Sequence, residues 1–337
     1  MQKNNSSRNN FRVSVIVPNY NGAKYLNDCL KSLRDQDVRS FEVIVIDDAS
    51  SDGSFESARQ EFPEDASLPS FKYCKREENG GFCKSVNDGI KKAQAEYIIL
   101  LNNDTVAEPD FVRNMYKAIK RDNRLFSVSA KMVSLWDKNV LDDTGDLYCA
   151  LGWAFAPAKD KTIEQYSQKC RIFSACGGAA IYRRSVFEEI GLFDENHFAY
   201  LEDVDIGYRA KLHGYINAYE PSAIVYHAGS ATSGSRHNDF KVELTAKNNL
   251  YLIYKNMPLW QLIINGGPIL AGIAVKGVFF AKKKMLPAYI RGLKKGWALI
   301  GSEEGRKKRV DFEKIPFKRQ LFIEAELIYN CIRRFVG

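Results

Sequence analysis

The sequence has few cysteines, no C-x-x-C pair and no apolar export signal. Its seven cysteines are scattered along 337 residues, and their odd number leaves one without a partner. This pattern favours a reduced, cytoplasmic protein over a secreted, disulfide-bonded one. Residues 1–10 lack the apolar core of a signal peptide and are predicted to be a disordered lead-in.

Two glycine-rich phosphate-binding motifs are also missing. No G-x-G-x-x-G follows the first apolar run, and no G-x-x-x-x-G-K-S/T occurs. The sequence therefore supports neither a dinucleotide-binding fold nor a P-loop NTPase. A short N-G-G-F turn at 79–82 is present, and its glycines would let the backbone approach a ligand closely, although such glycines are often simple turn residues.

Positive charge is scarce until the last third of the chain. Residues 1–240 carry 30 Lys+Arg against 34 Asp+Glu, whereas residues 241–337 carry 19 against 7. This asymmetry excludes interpreting the whole protein as a nucleic-acid binder. It indicates instead that the basic region 241–337 faces an anionic partner, most simply the inner face of the cytoplasmic membrane.

The basic region is predicted to be helical, over 242–256, 259–281 and 286–300. The middle segment approaches a membrane-spanning length but contains polar residues, including Lys276. A charge at the bilayer centre costs about 2.5–3.5 kcal/mol. We therefore predict helices that lie on the membrane surface; the alternative is that they pack on the protein's own core or on a second subunit.

Strand-like and helix-like segments alternate in the first 120 residues. Apolar, β-branched runs at 11–18, 41–46 and 97–101 predict buried strands, and helical spacing of apolar residues follows each of them. The alternation predicts a mainly parallel α/β sheet flanked by helices. The pattern is weak over 125–171 and then returns, with two further strands predicted at 215–219 and 223–227.

Acidic residues follow two of the buried runs. Asp47 and Asp48 end the second strand, and Asp104 comes just after the third. Ligands of open α/β sheets bind outside the carboxyl ends of the strands. A single acid there is often a helix N-cap, but three together indicate a bound cation or hydrogen-bond donors on a ligand. Mg²⁺ or Mn²⁺ commonly uses one or two carboxylates with phosphate and water.

A second group of acids, Glu202, Asp203 and Asp205, precedes a predicted helix. They can simply favour the helix dipole, or their mutual repulsion can raise the pKa of one carboxyl so that it accepts a proton. His227 ends a predicted strand, where a histidine is either structural or a metal ligand.

Seven motifs occur in a recognisable order. They are V-S-V-I-V-P-N-Y-N-G (13–22), V-I-D-D-A-S-S-D-G-S (45–54), N-G-G-F (79–82), L-L-N-N-D (100–104), G-G-A-A (177–180), E-D-V-D (202–205) and H-A-G-S (227–230). Together they resemble the family 2 glycosyltransferases of GT-A fold, in particular the rhamnosyltransferase-like members that build bacterial cell-surface polysaccharides. The resemblance runs from Val13 to Pro258.

The resemblance implies a metal-dependent, inverting transfer of sugar from a nucleotide-sugar donor, dTDP-rhamnose or a UDP-sugar, to a hydroxyl of a cell-surface glycan or lipid-linked acceptor. Residues 11–240 would form the catalytic domain, with a nucleotide-sugar half to about residue 122 and an acceptor half after it. Asp203 matches the catalytic base, with Glu202 the second choice. Asp104 ends the family's D-x-D motif and would bind Mg²⁺ or Mn²⁺ with His227.

The resemblance also implies the residues that meet the nucleotide sugar, with Asp47 or Asp48 at the pyrimidine base. These residues are Pro18, Tyr20, Asn21, Asp47, Asp48, Asn79, Gly81, Phe82, Asn87, Asn102, Asn103 and Gly178. This chain departs from the family at Asn102, where the first acid of D-x-D would stand. A nucleotidyltransferase and an inactive, membrane-associated nucleotide-sugar-binding protein remain as alternatives.

Overall fold

A computed structural model describes residues 11–65, 67–229 and 238–336. The predicted lead-in 1–10 and the last residue of the H-A-G-S motif, Ser230, lie outside these ranges. The strands are β1 (Val13–Asn19), β2 (Phe41–Asp47), β3 (Ser70–Lys75), β4 (Tyr97–Leu101), β5 (Thr105–Ala107), β6 (Leu125–Ser134), β7 (Leu141–Asp143), β8 (Leu147–Cys149), β9 (Trp153–Phe155), β10 (Cys170–Ile172), β11 (Ala179–Arg183) and β12 (Ile216–His227).

Helices flank the strands and then form the whole C-terminal region. They are α1 (Leu26–Arg34), α2 (Ser54–Glu61), α3 (Gly81–Lys92), α4 (Phe111–Ile119), α5 (Val186–Ile190), α6 (Glu202–Leu212), α7 (Asp239–Asn256), α8 (Leu259–Ile264), α9 (Gly266–Lys282), α10 (Leu286–Gly301), α11 (Glu303–Lys307) and α12 (Phe317–Val336). Of the helices within the described residues, none combines the length and the apolar character needed to cross a membrane.

One large sheet carries the fold. Its main path runs β10-β12-β6-β11-β4-β1-β2-β3, with β5 and β7 paired to β12 and β6. The strands β1, β2, β3 and β4 are parallel, whereas β11 lies antiparallel between β4 and β6. The predicted mixed, mainly parallel α/β sheet with a helical C-terminal appendage is therefore confirmed.

The central strands are buried on both faces. Every residue of β2 and β4 is buried, and separate apolar clusters cover the two sides of the sheet. Such strands are typically rich in β-branched residues, because the side chains on both faces of the sheet are shielded from water. The carboxyl ends of β1, β2 and β4 consequently meet at one edge of the sheet.

The structure corrects two predicted segments. The strands predicted at 215–219 and 223–227 are one strand, β12, whose pairing with β6 shifts register between Glu220 and Ile224, around Pro221. The helix predicted over 259–281 is two, α8 and α9, separated at Asn265, whose side-chain amide donates to the Glu324 carboxylate at 3.0 Å. The short strands β7 to β10 and helix α12 were not predicted.

The C-terminal helices pack tightly on α7. Gly292 and Gly296 of α10 lie against α7, where a Cβ on Gly292 would come within 2.2 Å of the Glu243 carbonyl oxygen. A larger residue would therefore push α10 away. The predicted domain boundary at residue 240 falls inside α7 and stays a prediction.

Candidate active site

A cleft of about 640 Å³ opens at the carboxyl ends of the parallel strands. Its walls come from β1, from the segment after β4, from the turn before β11, and from the loop that leads into α6. The cleft brings together most of the site residues predicted from the sequence. These are Pro18, Tyr20, Asp48, Asn79, Gly81, Phe82, Asn102, Asn103, Asp104, Gly178, Glu202, Asp203 and His227.

Three predicted nucleotide-sugar residues do not line this cleft. Asp47 is fully buried and accepts hydrogen bonds from the Asn19 amide at 2.8 Å and from the Ser50 N–H at 3.0 Å. Asn87 is buried in α3 and bonds both backbone groups of Phe193. Asn21 accepts from the Ser51 N–H on the exposed surface. These contacts hold backbone segments together, which accounts for the residues without a ligand.

Asp48 holds the glycine turn in place. Its two carboxylate oxygens accept the N–H groups of Gly80 at 2.9 Å and Gly81 at 2.8 Å, and Arg76 Nε lies 2.9 Å away. Gly81 has φ +83°, and a Cβ there would lie 2.5 Å from the Phe198 ring. The turn therefore needs glycine both for its backbone conformation and for its contact with the loop before α6.

Asn102 stands where the first acid of D-x-D would be, Asn103 lies between it and Asp104, and the two side chains face different partners. The Asn103 amide donates to Asn19 Oδ1 at 2.7 Å, and thus joins the ends of β1 and β4. Asn102 lies beside Gly178, where a Cβ would approach its amide nitrogen to 3.0 Å. Both side chains are neutral, so Asp104 is the sole carboxylate of the L-L-N-N-D motif.

His227 bridges two carboxylates at the cleft. Its Nε2 lies 3.1 Å from Asp104 Oδ1, and its Nδ1 lies 2.6 Å from Asp142 Oδ2. Burial lowers the pKa of His227, but the hydrogen bonds to Asp104 and Asp142 outweigh it and raise the pKa to about 9. The pairing of Asp142 with His227 was not predicted, because no local sequence pattern links residues 85 positions apart.

This arrangement fits a divalent cation. A carboxylate that holds one ring nitrogen of a histidine orients the other nitrogen for a metal, a common device of metal sites. Asp104 and His227 Nε2 would thus supply one oxygen and one nitrogen ligand, with the cation displacing the Nε2 proton that Asp104 otherwise accepts. No cluster of three or more metal-binding side chains occurs among the described residues, so phosphate and water would complete the coordination of Mg²⁺ or Mn²⁺.

Glu202 and Asp203 begin α6 and line the same cleft. Asp203 Oδ1 accepts the Val204 N–H at 2.8 Å, and its Oδ2 lies 3.4 Å from the Gly177 N–H. Burial raises the pKa of Asp203, and burial together with the neighbouring Asp203 charge raises the pKa of Glu202 well above its usual value. A carboxyl with a raised pKa is a better proton acceptor when it is ionised.

Asp205 differs from this pair in having cations beside it, although its own charge helps to raise the pKa of Glu202 as expected for crowded acids. It is fully buried, and its carboxylate contacts Arg209 at 2.8 Å and Lys255 at 2.9 Å. Burial raises the pKa of Asp205, but these cations outweigh it and hold the pKa far below its usual range. Asp205 therefore ties α6 to α7 as part of a buried ion network.

The loop before α6 has an unusual backbone held by α7. Phe198, Tyr200 and Leu201 have φ of 64°, 69° and 65°, a region that non-glycine residues seldom occupy. The buried Asn248 amide donates to the carbonyl oxygens of His197 at 2.9 Å, Ala199 at 2.8 Å and Tyr200 at 2.7 Å. Helix α7 therefore helps to position the two acids, a contribution that no sequence pattern indicated.

The comparisons with known proteins agree with this geometry. Residues 14–191 match Glycosyl transferase family 2, more than half of the chain. The chain belongs to this family. The match confirms the family predicted from the sequence motifs.

Similar proteins come from bacteria and archaea. Glycosyltransferase GlyG of Streptococcus pneumoniae serotype 4 is 30% identical over 108 residues, which cover 32% of this chain and 35% of GlyG. The N-acetylglucosaminyl-diphospho-decaprenol L-rhamnosyltransferase of Mycobacterium tuberculosis is 25% identical over 245 residues, covering 65% of this chain and 77% of that protein. This chain thus spans about a third of GlyG but most of the rhamnosyltransferase.

A solved structure shares the fold over nearly the whole chain. The mannosyltransferase PcManGT from Pyrobaculum calidifontis, in complex with GDP-Man and Mn²⁺, gives a TM-score of 0.54 and covers 97% of this chain and 88% of its own, at 20% identity. At that identity the similarity establishes the fold.

Proposed function

We propose that this family 2 glycosyltransferase moves a sugar from a nucleotide-sugar donor to a hydroxyl of a cell-surface glycan or lipid-linked saccharide, with inversion at the anomeric carbon. The observation that carries the proposal is that Asp104, His227 and Asp203 all line one cleft. The named activity of the similar M. tuberculosis protein favours dTDP-rhamnose as the donor, with a UDP-sugar as the alternative.

The reaction is a single displacement. The acceptor oxygen forms a bond to the anomeric carbon while the bond from that carbon to the diphosphate oxygen breaks, and the electron pair leaves with the nucleoside diphosphate. Asp203 accepts the acceptor's proton, because its pKa is raised by burial and it lines the cleft. Glu202 is the second choice for this role.

A second group of residues that line the cleft binds the donor. Tyr20, 41% exposed, offers an aromatic face to the nucleotide base, and Asp48 orients the Gly80–Gly81 turn beside it. Asp104 and His227 would hold Mg²⁺ or Mn²⁺, with Asp142 fixing the orientation of the imidazole ring. A cation bound there would offset the negative charge that develops on the departing diphosphate.

We also propose that the C-terminal helices lie on the inner face of the cytoplasmic membrane. Large apolar side chains are exposed on α8, α9, α10 and α12, including Ile263 at 70%, Leu270 at 69%, Trp297 at 66% and Phe322 at 62%. The basic run Lys282–Lys284 closes α9. Exposed apolar area next to lysines is typical of helices on anionic lipid surfaces.

A ligand panel tests the transferase proposal. Thermal unfolding is measured with dTDP-rhamnose, UDP-sugars and GDP-sugars, each with Mn²⁺ or with EDTA. A ligand that binds only the native state raises the melting temperature. We expect one nucleotide sugar to do so strongly and only with Mn²⁺, and that donor should then support transfer to a saccharide acceptor. Pyrophosphate release from a nucleoside triphosphate and a sugar phosphate would instead establish a nucleotidyltransferase.

Flotation with liposomes tests the membrane proposal. Full-length protein should float with vesicles of phosphatidylglycerol and phosphatidylethanolamine and remain in solution with vesicles of phosphatidylcholine alone. Replacing Lys282–Lys284 by glutamines should reduce flotation, because each lysine near an anionic surface contributes about 1 kcal/mol. Equal flotation with both vesicle types would contradict an electrostatic contribution.

A further inference from the structure

A second cavity, of about 370 Å³, adjoins the cleft. Tyr200, Lys241 and Thr245 line both, so the two spaces meet at the start of α7. We call the second space the helix cavity, because its walls are α7, α9 and α10. Its volume lies in the range of small-molecule sites, roughly 300–1,000 Å³.

The helix cavity has an apolar wall. Val242 of α7, Phe280 of α9 and Leu293 of α10 line it. The Tyr289 ring packs against Phe280 with centroids 5.2 Å apart, and its hydroxyl donates to the Ile273 carbonyl oxygen at 3.1 Å. Such a surface favours a hydrocarbon chain over a sugar, since a sugar would leave its hydroxyl groups without partners.

Polar groups are present at two points of this apolar wall. Asn249 is 8% exposed, and within the part of the chain that the structure describes its Oδ1 accepts no hydrogen bond. Lys276 places its Nζ 5.8 Å from the centre of the Trp153 ring. Burial lowers the pKa of Lys276 to about 8, and no carboxylate of the described residues contributes to that pKa. A partly desolvated ammonium without a carboxylate partner favours an anionic ligand.

We infer, on the basis of the proposed glycosyl transfer, that the helix cavity binds the phosphate and the first carbons of the lipid in a lipid-linked saccharide acceptor. Lys276 and Lys241 contact the phosphate oxygens, and Phe280 and Leu293 pack on the chain. The saccharide then extends past Thr245 into the cleft, toward Asp203. The acceptor would thereby be held at both ends.

The position of the cavity relative to the exposed apolar side chains supports this occupant. The helices that wall it, α9 and α10, also expose Val275, Val278, Ile290 and Trp297. A chain that leaves the cavity between these helices therefore reaches the surface proposed to contact the membrane. A free sugar phosphate would leave the apolar wall uncovered, so the phosphate of a lipid fits the cavity better.

Calorimetric titration with farnesyl diphosphate tests the inference on the full-length protein. The titration is done in EDTA, so that a metal-dependent donor site does not contribute. We expect farnesyl diphosphate to bind about tenfold or more tightly than inorganic pyrophosphate and than farnesol, because only the first probe offers both charge and chain. Equal binding of pyrophosphate would overturn the lipid assignment.

Two variants locate the binding. Lys276→Gln should weaken farnesyl diphosphate binding about tenfold, because it removes a charge-assisted contact. Leu293→Trp should block the cavity by filling it. The matched control is Lys92→Gln, an exposed lysine at the end of α3, which should bind as the wild type does. Thermal unfolding of each variant shows whether it folds. If a cavity variant does not fold, Thr245→Met, at the junction with the cleft, is used in its place.

Two outcomes would overturn the inference. Unchanged binding in all folded cavity variants would mean that farnesyl diphosphate binds to another surface. Equally tight binding of dihexanoyl phosphatidylglycerol would mean that the cavity binds a membrane phospholipid. Neither outcome depends on sugar transfer, because no donor is present. Sugar transfer without farnesyl diphosphate binding would refute the helix cavity assignment alone. Farnesyl diphosphate binding without sugar transfer would refute the transferase proposal alone.

Discussion

The two sides of the cleft support their carboxylates in different ways. Asp104 directly follows β4, a fully buried strand paired to β1 and β11. Asp203 instead follows a loop with three positive-φ residues, which α7 holds through Asn248. The donor side thus depends on neighbouring strands of one sheet, whereas the acid side depends on a helix that follows it by some forty positions along the chain.

This difference predicts that the two sides can be damaged separately. Changes at Asp104 or its partners should affect the cation and the donor, and changes in α7 should affect proton transfer with little effect on donor binding. Strained loops at functional sites persist only where the surrounding structure holds them. Variants of Asp203, Asp142 and Asn248 test whether the two sides can be damaged separately.

Replacing the proposed base should have the largest effect. Asp203→Asn keeps the size of the side chain but removes the proton acceptor, so we expect kcat to fall by about 10³, within the usual range for general-base catalysis. The dissociation constant of the nucleotide sugar, measured by calorimetry with Mn²⁺, should change less than about threefold. Glu202→Gln is the comparison, and a larger loss there would make Glu202 the base.

Breaking the buried ion network should have the largest effect on stability. Lys255 Nζ lies 2.7 Å from Asp194 Oδ2 and 2.9 Å from Asp205, and all three side chains are buried. Lys255→Met leaves two buried carboxylates with less compensation, so the free energy of unfolding should fall by about 3–5 kcal/mol. Urea denaturation measures it. Lys295→Met is the control, because its pair with Glu243 is 63% exposed at the lysine and should contribute under about 1 kcal/mol.

The deficit of Lys255→Met should depend on pH in a defined direction. The cations around Asp205 hold its folded pKa below the unfolded value. Its contribution to stability is therefore present above about pH 4 and is lost as the pH falls through the folded pKa. The difference between variant and wild type should shrink below about pH 4. A deficit that stays constant down to the lowest pH at which both proteins still fold would mean that Lys255 acts through packing alone.

Sequence predicted one side of the cleft better than the other, for a physical reason. The strands β1, β2 and β4 lie within two residues of their predicted bounds, because both of their faces are buried and their residues are mostly apolar and β-branched. The residues at their ends are consequently placed by local pattern. Short strands such as β7 and β8 have three residues each and no comparable signal.

Contacts between distant segments were beyond prediction. Asp142 reaches His227, and Asn248 reaches the loop before α6, through folding alone. Arg209, four positions after Asp205, is a partner that helical spacing could indicate, whereas Lys255 reaches Asp205 from 50 positions away. The role of each site residue in binding or catalysis stays a prediction.

The third prediction concerns the partner of His227. Asp142→Asn keeps the shape of the side chain but removes the charge that orients the imidazole. We expect Mn²⁺ affinity to fall about 10- to 100-fold, as for other residues that support metal ligands. The Mn²⁺ concentration that half-maximally stabilises the protein with its nucleotide sugar measures this. Asp137→Asn, an exposed acid five positions away, should leave it unchanged, and an equal shift in both variants would contradict the specific role.

The smallest expected effect on kcat comes from Asn248, which holds the loop before α6. Asn248→Ala removes the donor to three carbonyl oxygens of the loop before α6, so the loop should lose its fixed conformation. We expect kcat to fall about tenfold, since Asp203 is then held less firmly, while the KM for the donor stays within about twofold. Asn123→Ala, on an exposed loop, is the control.

Asn248→Asp separates hydrogen bonding from packing. The carboxylate has the same shape as the amide, but it cannot donate to the carbonyl oxygens of Ala199 and Tyr200 and would repel them. If α7 positions Asp203 by hydrogen bonding, Asn248→Asp should lose at least as much kcat as Asn248→Ala. If the aspartate variant instead keeps wild-type kcat, shape alone holds the loop. A parallel rise in donor KM in both variants would show that the two sides of the cleft are coupled after all.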